Sequence, residues 1–195
     1  MNWKERISMM VLRRIKGENR ERKGCGLSNA YSVGLLYLER DHSHYRAIKD
    51  IAKYLNDEVG VKKVSMLSYV DNDKKHIPGW LVKKLDSGYF CKSDLNWYGK
   101  PQKEVQSFID YEFDILLDLE LEPVLPLKYV LMRSMAKMKV VAEQPEWGVV
   151  DYDFQVIRDN RFENLIEDGD LKTPKDIWKN HMDMTFKILS EMNIT

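Results

Sequence analysis

The stretch Phe113-Asp114-Ile115-Leu116-Leu117-Asp118-Leu119 decides the fold, because it is a short, nearly continuous apolar run between charged segments. Such a run is typical of a strand that is buried on both faces of a sheet. A helical pattern over residues 125–136 and a second apolar run over 138–142 follow it. This succession predicts a β-α-β unit.

A second β-α-β unit precedes the first along the chain. Residues 31–38 and 61–70 are rich in aromatic and β-branched side chains, and residues 44–57 carry apolar side chains at helical spacing. Asp41 or Ser43 is the expected N-cap of that helix. Gly34 lies inside the first run and indicates a close approach of another backbone. The unit predicts two parallel strands joined by a right-handed crossover.

The remaining segments add elements around these two units. Residues 71–101 are irregular apart from a short strand at 89–91, and a short helix is predicted over 102–110. Residues 149–158 are expected at a sheet edge, with antiparallel pairing as one alternative. Thr173 and Pro174 begin a closing helix. The fold class is therefore α/β: a Rossmann-like open, mostly parallel sheet of five or six strands, with helices on both faces and an N-terminal amphipathic helix.

Composition sets the broad class of protein. The 195 residues are 44% hydrophobic and 32% charged, which favours one globular domain. The formal net charge is zero, so no overall electrostatic field attracts nucleic acid or anionic membranes. The two cysteines argue against a disulfide scaffold. No apolar run approaches the roughly 20 residues that span a bilayer, and no signal peptide is recognisable. We expect a cytoplasmic protein.

The first 23 residues form a basic arm, which we separate from a single α/β domain over 24–195. The arm carries eight Lys/Arg and three Asp/Glu, a net charge of +5. Residues 2–18 have the pattern of an amphipathic helix. One alternative is that this helix binds a protein or RNA partner, or touches a membrane surface peripherally. The other is that its apolar stripe packs on the domain. The candidate partner-binding residues are Trp3, Arg6, Arg13, Arg14 and Lys16.

Two further places are candidates for ligand binding. The loop around Trp97 places aromatic rings beside Asn96 and Lys100, which suits stacking on a base or sugar; alternatively, its rings only anchor a long loop. Asp118 lies near the carboxyl end of the central strand, where open α/β sheets bind ligands, although such a residue also commonly caps the next turn. The candidate ligand-binding residues are Asn96, Trp97, Lys100, Asp118 and Lys128.

Known catalytic motifs are missing from the sequence. The turn after the first strand lacks glycines for a phosphate loop, and there is no Gly-x-Ser-x-Gly, His-Glu-x-x-His or Cys-x-x-Cys. His42 and His44 are expected to be exposed turn residues. We therefore assign no catalytic residue, metal or cofactor and favour a non-enzymatic interaction module. The alternative is a small-ligand or nucleotide-like binder, or an enzyme, that uses the crevice at the strand carboxyl ends.

Three segments carry a family resemblance. Asp94-Leu95-Asn96-Trp97-Tyr98-Gly99-Lys100-Pro101, the stretch Phe113 to Leu119, and Leu125-Pro126-Leu127-Lys128-Tyr129 resemble a domain-of-unknown-function family of short Bacteroides-type bacterial proteins. The resemblance runs from about residue 34 to 189. It implies a compact cytoplasmic α/β protein and supplies no catalytic residue.

Overall fold

The computed structural model describes residues 3–14, 19–141, 151–156 and 174–192. The strands in these ranges are β1 (Ser32–Glu39), β2 (Lys63–Val70), β3 (Ser87–Cys91), β4 (Ile115–Asp118), β5 (Met138–Val141) and β6 (Phe154–Gln155). The α-helices are α1 (Trp3–Arg14), α2 (His42–Asp57), α3 (Gln106–Ile109), α4 (Leu125–Arg133) and α5 (Pro174–Glu191). Single 3-10 turns occur at Leu27–Asn29, Lys74–His76, Lys92–Asp94 and Lys103–Val105.

The described strands form one parallel sheet in the order β3-β2-β1-β4-β5-β6. The strand order reverses between β1 and β4, as in the Rossmann doubly wound fold. Helix α2 connects β1 to β2, and α4 connects β4 to β5, as the two predicted β-α-β units require. The predicted class, a Rossmann-like, mostly parallel α/β sheet of five or six strands with an N-terminal helix, is confirmed, and the described strands number six.

Helices cover both faces of this sheet, because successive side chains of a strand point to opposite sides. On one face, Leu35 of β1 shares a core with Ile48 of α2 and Met182 of α5. On the other face, the next residue, Leu36, shares a core with Val130 of α4. Each strand near the centre of the sheet therefore contributes to two apolar layers.

Asp41 is the N-cap of α2. The structure thus confirms one of the two residues that the sequence offered for this position. The Asp41 carboxylate accepts hydrogen bonds from the backbone N–H groups of Ser43 (2.8 Å) and His44 (2.9 Å). These bonds satisfy two N–H groups that the first turn of a helix leaves unpaired. The chain turns towards β2 at Gly60, whose φ of +87° is a conformation that glycine adopts without strain.

Two details of the sheet differ from the sequence prediction. The edge strand β6 pairs with β5 in parallel rather than antiparallel, because residues 142–153 supply the roughly dozen residues that a parallel connection needs. The close neighbours of Gly34 are side chains rather than a backbone: a Cβ there would lie 2.9 Å from Leu116 and 3.1 Å from Phe113. The predicted positions 142, 149–150, 157–158 and Thr173 lie outside the described residues.

An ionic network ties the segment before β1 to the β5–β6 edge. The Arg20 guanidinium is fully buried and bonds Asp151 (3.1 Å) and Asp153 (2.7 Å). Asp151 also pairs with Lys139 at 2.8 Å and with Arg22. Burial raises the pKa of Asp151, but the hydrogen bonds from Arg20 and Lys139 outweigh burial and lower it to about 2. The charged form of Asp151 therefore stabilises the fold.

We predict that this network makes stability depend on pH at the acid end. Because the folded pKa of Asp151 is below the value of about 3.9 of an unfolded Asp, its contribution is complete above about pH 4. As the pH falls to about 2, roughly 2 kcal/mol of unfolding free energy is lost. Urea unfolding from pH 5 to pH 2 measures this slope. Asp151→Asn should flatten it, whereas the exposed control Asp57→Asn should not.

A second prediction concerns the contact between the segment before β1 and the end of α5. A Cβ on Gly26 would overlap the carbonyl oxygen of Met192, so Gly26→Ala forces a backbone shift. We expect a loss of about 1–3 kcal/mol in urea unfolding, as for other overpacked sites. Gly79→Ala is the matched control, since nothing lies within 4 Å of its Cβ position. Equal stability of the two variants would contradict this contact.

Candidate functional site

Helix α1 packs on the domain through one face. Leu12 is buried in a cluster with Tyr129 and Met132 of α4. Ser8 is buried too: its hydroxyl donates to the Tyr98 carbonyl, and its own carbonyl accepts from the Tyr129 hydroxyl at 3.1 Å. One face of α1 therefore packs on the domain, which is one of the two alternatives that the sequence left open for this helix.

The other face of α1 is exposed and carries most of the predicted partner-binding residues. Trp3 and Met10 are 61% and 53% exposed, and the side chains of Arg6, Arg13 and Arg14 are also exposed. At 3.6 residues per turn, these five positions fall within an arc of about 100°. The fifth predicted residue, Lys16, lies outside the described residues. The arc is a basic surface with large apolar side chains inside it.

Trp97 extends this face beyond the helix. Its ring centroid lies 6.4 Å from that of Trp3, and the side chain is 63% exposed. The Tyr98 ring meets it edge-on at 5.1 Å and so supports it from the domain side. We call the exposed residues together the α1–Trp97 surface; its members are Trp3, Arg6, Met10, Arg13, Arg14 and Trp97.

The loop that holds Trp97 is a tight turn built on Asn96. The Asn96 side-chain oxygen accepts from the backbone N–H groups of Tyr98 (3.2 Å) and Lys100 (2.9 Å). Gly99 completes the turn with φ of +90°. Asn96 and Lys100 line a cavity towards α3 and α4, whereas Trp97 belongs to the outer surface. The structure therefore separates three residues that the sequence grouped in one ligand site.

Asp118 and Lys128, the other predicted ligand residues, contact each other. The Lys128 ammonium lies 2.6 Å from the Asp118 carboxylate, and the residues are 2% and 3% exposed. The second Asp118 oxygen accepts from the Glu120 backbone N–H at 3.2 Å. The pair is a buried ion pair within the fold, and it is not in the cavity lined by Asn96 and Lys100. A ligand-binding role for either residue stays a prediction.

The crevice between the carboxyl ends of β1 and β4, where nucleotides bind in doubly wound folds, contains a second ion pair. Arg40 donates to the buried Glu120 carboxylate at 2.6 and 3.1 Å, and Leu38 N–H donates to it at 2.7 Å. Burial raises the pKa of Glu120, against the lowering influence of Arg40. Arg40 and Glu120 were absent from the predicted site. Their 80-residue separation leaves no local signal of the pairing.

The two histidines of this region differ from the sequence interpretation. Both belong to α2 rather than to a turn. His42 is exposed and its ring lies 5.2 Å from that of Trp80. His44 is buried, with its ring edge-on to Trp178 of α5 at 4.9 Å, so the expectation that it is exposed was wrong. Packing of α5 over the start of α2 causes this burial.

Fold and site together define a Rossmann-like α/β domain with an N-terminal helix fixed on its α4 side and no nucleotide loop after β1. Comparison with protein families identifies the group more narrowly. A family of unknown function (DUF6913) matches residues 6–160, and the chain belongs to that family. No curated protein and no solved structure matches the chain.

The described ranges contain neither a candidate metal cluster nor a candidate membrane-spanning helix. Within 3–14, 19–141, 151–156 and 174–192, no group of three or more His, Cys, Asp or Glu residues is arranged to hold a metal ion. No helix in the same ranges is both long and apolar enough to cross a membrane. Cys25 and Cys91 are free thiols.

We predict that the Asp118–Lys128 pair is needed for stability. Lys128→Met leaves the buried Asp118 carboxylate without its partner, and Asp118→Asn leaves the buried Lys128 ammonium without its partner. We expect each variant to lower the unfolding free energy by about 3–5 kcal/mol. The double variant should recover a large part of this loss, because removing both charges removes the desolvation cost. A double-mutant cycle by urea unfolding measures the coupling, and strictly additive losses would contradict it.

Proposed function

We propose that this protein is a non-enzymatic interaction module that binds an acidic surface of a protein partner through the α1–Trp97 surface. The exposed arc of Trp, Met and Arg side chains carries the proposal. These residue types are enriched at the centres of protein interfaces, where a few of them supply most of the binding energy. Contiguous exposed patches of such side chains mark interaction sites.

The way α1 is held supports this function. Its opposite face is fixed by the Leu12 cluster and the Ser8 hydrogen bonds, so the exposed side chains start from an ordered helix. A partner then does not have to order the helix on binding, which removes one of the main costs of association. Trp3 and Trp97 offer rigid rings in adjacent positions.

Charge favours an acidic protein over RNA. Arg6, Arg13 and Arg14 offer guanidinium groups that pair with carboxylates in a bidentate manner. The arm has a net charge of +5, so residues 24–195 have −5. A long polyanion such as RNA, or an anionic membrane, would be repelled by this body beyond the helix, whereas a compact acidic patch meets only the basic surface.

The proposed setting follows from the same sequence considerations. We place the interaction in the cytoplasm of a Bacteroides-type bacterium, with a basic arm over residues 1–23 presented by a single domain over 24–195. The family resemblance and the sparse cysteines support this setting. The alternative is a nucleotide-like binder that uses the crevice at the strand carboxyl ends. It has less support, because Arg40 in that crevice is already paired with Glu120.

The proposal predicts that surface variants lose a specific partner. Affinity capture with the full chain should recover a protein that Trp3→Ala/Trp97→Ala and Arg6→Glu/Arg13→Glu both lose. The matched control is Lys53→Glu/Lys62→Glu, two exposed lysines distant from α1 in sequence. With the purified partner, calorimetry should show affinity reduced about thirtyfold or more, since a hot-spot residue supplies about 2 kcal/mol or more.

The same experiment separates the classes of partner. Thermal unfolding of the variants should match the parent chain, because the substituted residues are exposed. Recovery that nuclease treatment abolishes would replace the protein partner with RNA, and recovery only with anionic vesicles would replace it with a membrane. Equal capture by the surface variants and the parent chain would contradict the proposal.

A further inference from the structure

We infer that the cavity between the Asn96 loop, α3 and α4 binds a small organic anion, with an apolar body and a phosphate or carboxylate group. This inference does not rest on the proposed interaction, because neither Trp3 nor Trp97 lines the cavity. We call it the loop–helix cavity. Its volume of about 390 Å³ is at the lower end of the range found for small-molecule sites.

The charged side chains of the loop–helix cavity are all cations. Lys100 from the loop, Lys103 from the 3-10 turn before α3 and Arg133 from α4 line it, and none of its lining residues is Asp or Glu. The whole chain has 31 basic and 31 acidic residues, so the cavity lining is more basic than the chain as a whole. Three cations around one concavity create a positive potential that attracts anions. The Arg133 fork suits two oxygens of one phosphate or carboxylate group.

The loop side of the cavity is ordered before any ligand arrives. The Asn96 side-chain oxygen holds the Lys100 backbone N–H at 2.9 Å, and Lys100 O accepts from Asn96 N–H at 2.9 Å. An antiparallel bridge between Leu95 and Pro101 closes the turn. These contacts fix the backbone that carries Lys100, so a ligand does not have to order it.

The helix side of the cavity is apolar. Val105 and Ile109 contribute from the segment of α3, and Val130 from α4. Tyr129 also lines it; its hydroxyl donates to the Ser8 carbonyl at 3.1 Å, and its ring packs with Leu12 and Met132. Burial raises the pKa of Tyr129 to about 12, which keeps the hydroxyl neutral. A purely inorganic anion would leave this apolar wall unused.

The cations at the strand carboxyl ends differ from the lysines of the loop–helix cavity. At the strand carboxyl ends, Arg40 and Lys128 each pair with a carboxylate of the fold. Within the described residues, Lys100 and Lys103 have no such carboxylate partner. Their charges are therefore available to an anion from outside, without a protein ion pair to break first.

Calorimetric titration of the full chain tests the inference with four probes: phenyl phosphate, benzoate, inorganic phosphate and phenol. We expect phenyl phosphate or benzoate to bind at least about tenfold more tightly than inorganic phosphate or phenol, since both the anion and the ring contribute. The tighter of these two probes decides between phosphate and carboxylate. Equal binding of inorganic phosphate and phenyl phosphate would overturn the inference, as would no binding of either organic anion.

Variants locate the site. Arg133→Gln and Lys100→Gln should each weaken the bound organic anion about tenfold or more, as for loss of one charge-assisted hydrogen bond. Lys53→Gln on α2 is the matched control and should leave affinity unchanged. If thermal unfolding shows that Arg133→Gln lowers stability, Lys103→Gln replaces it as the second site variant, because Lys103 is exposed. Unchanged affinity in Lys100→Gln and Lys103→Gln would place the anion elsewhere and overturn the inference.

Discussion

The structure depends on one constraint: a parallel sheet has no face that tolerates water, so every central strand must be covered twice. All four residues of β4 are buried, including Asp118. A carboxylate in that position has to be paired, because an isolated buried charge costs several kcal/mol. Lys128 supplies the pair from α4, the helix that follows the same strand. The ion pair thus positions the first turn of α4 against the sheet.

The local parts of this arrangement could be predicted from the sequence. Strands and helices of the two β-α-β units follow from the length and period of apolar runs, and Asp41 is recognisable as a cap from its own neighbours. Strand order and the direction of β6 depend on connections between distant segments, which no local pattern encodes. The burial of His44 likewise depends on α5, more than 130 positions later in the chain.

The sequence singled out some residues of the candidate sites but not their arrangement in space. The sequence marked the aromatic loop as a distinctive segment, but it could not tell that Trp97 and Lys100 lie on different sides of one turn. That separation arises from Gly99 and the Asn96 side chain, which reverse the chain within five residues. Arg133 gave no signal, since a single Arg at the end of a helix is common. Its position at the cavity depends on α3 lying opposite.

The turn at Asn96 belongs to both proposed functions, with Trp97 in one and Asn96 and Lys100 in the other. Thermodynamic linkage then applies: any factor by which an occupied cavity changes affinity at the outer surface must equal the factor by which a docked partner changes affinity in the cavity. The Asn96 side chain bonds the backbone of both Tyr98 and Lys100, so one short turn carries Trp97 on its outer side and Lys100 on its cavity side. If both proposed sites are occupied on this one turn, any such coupling would make the domain an allosteric link between an organic anion and a protein partner.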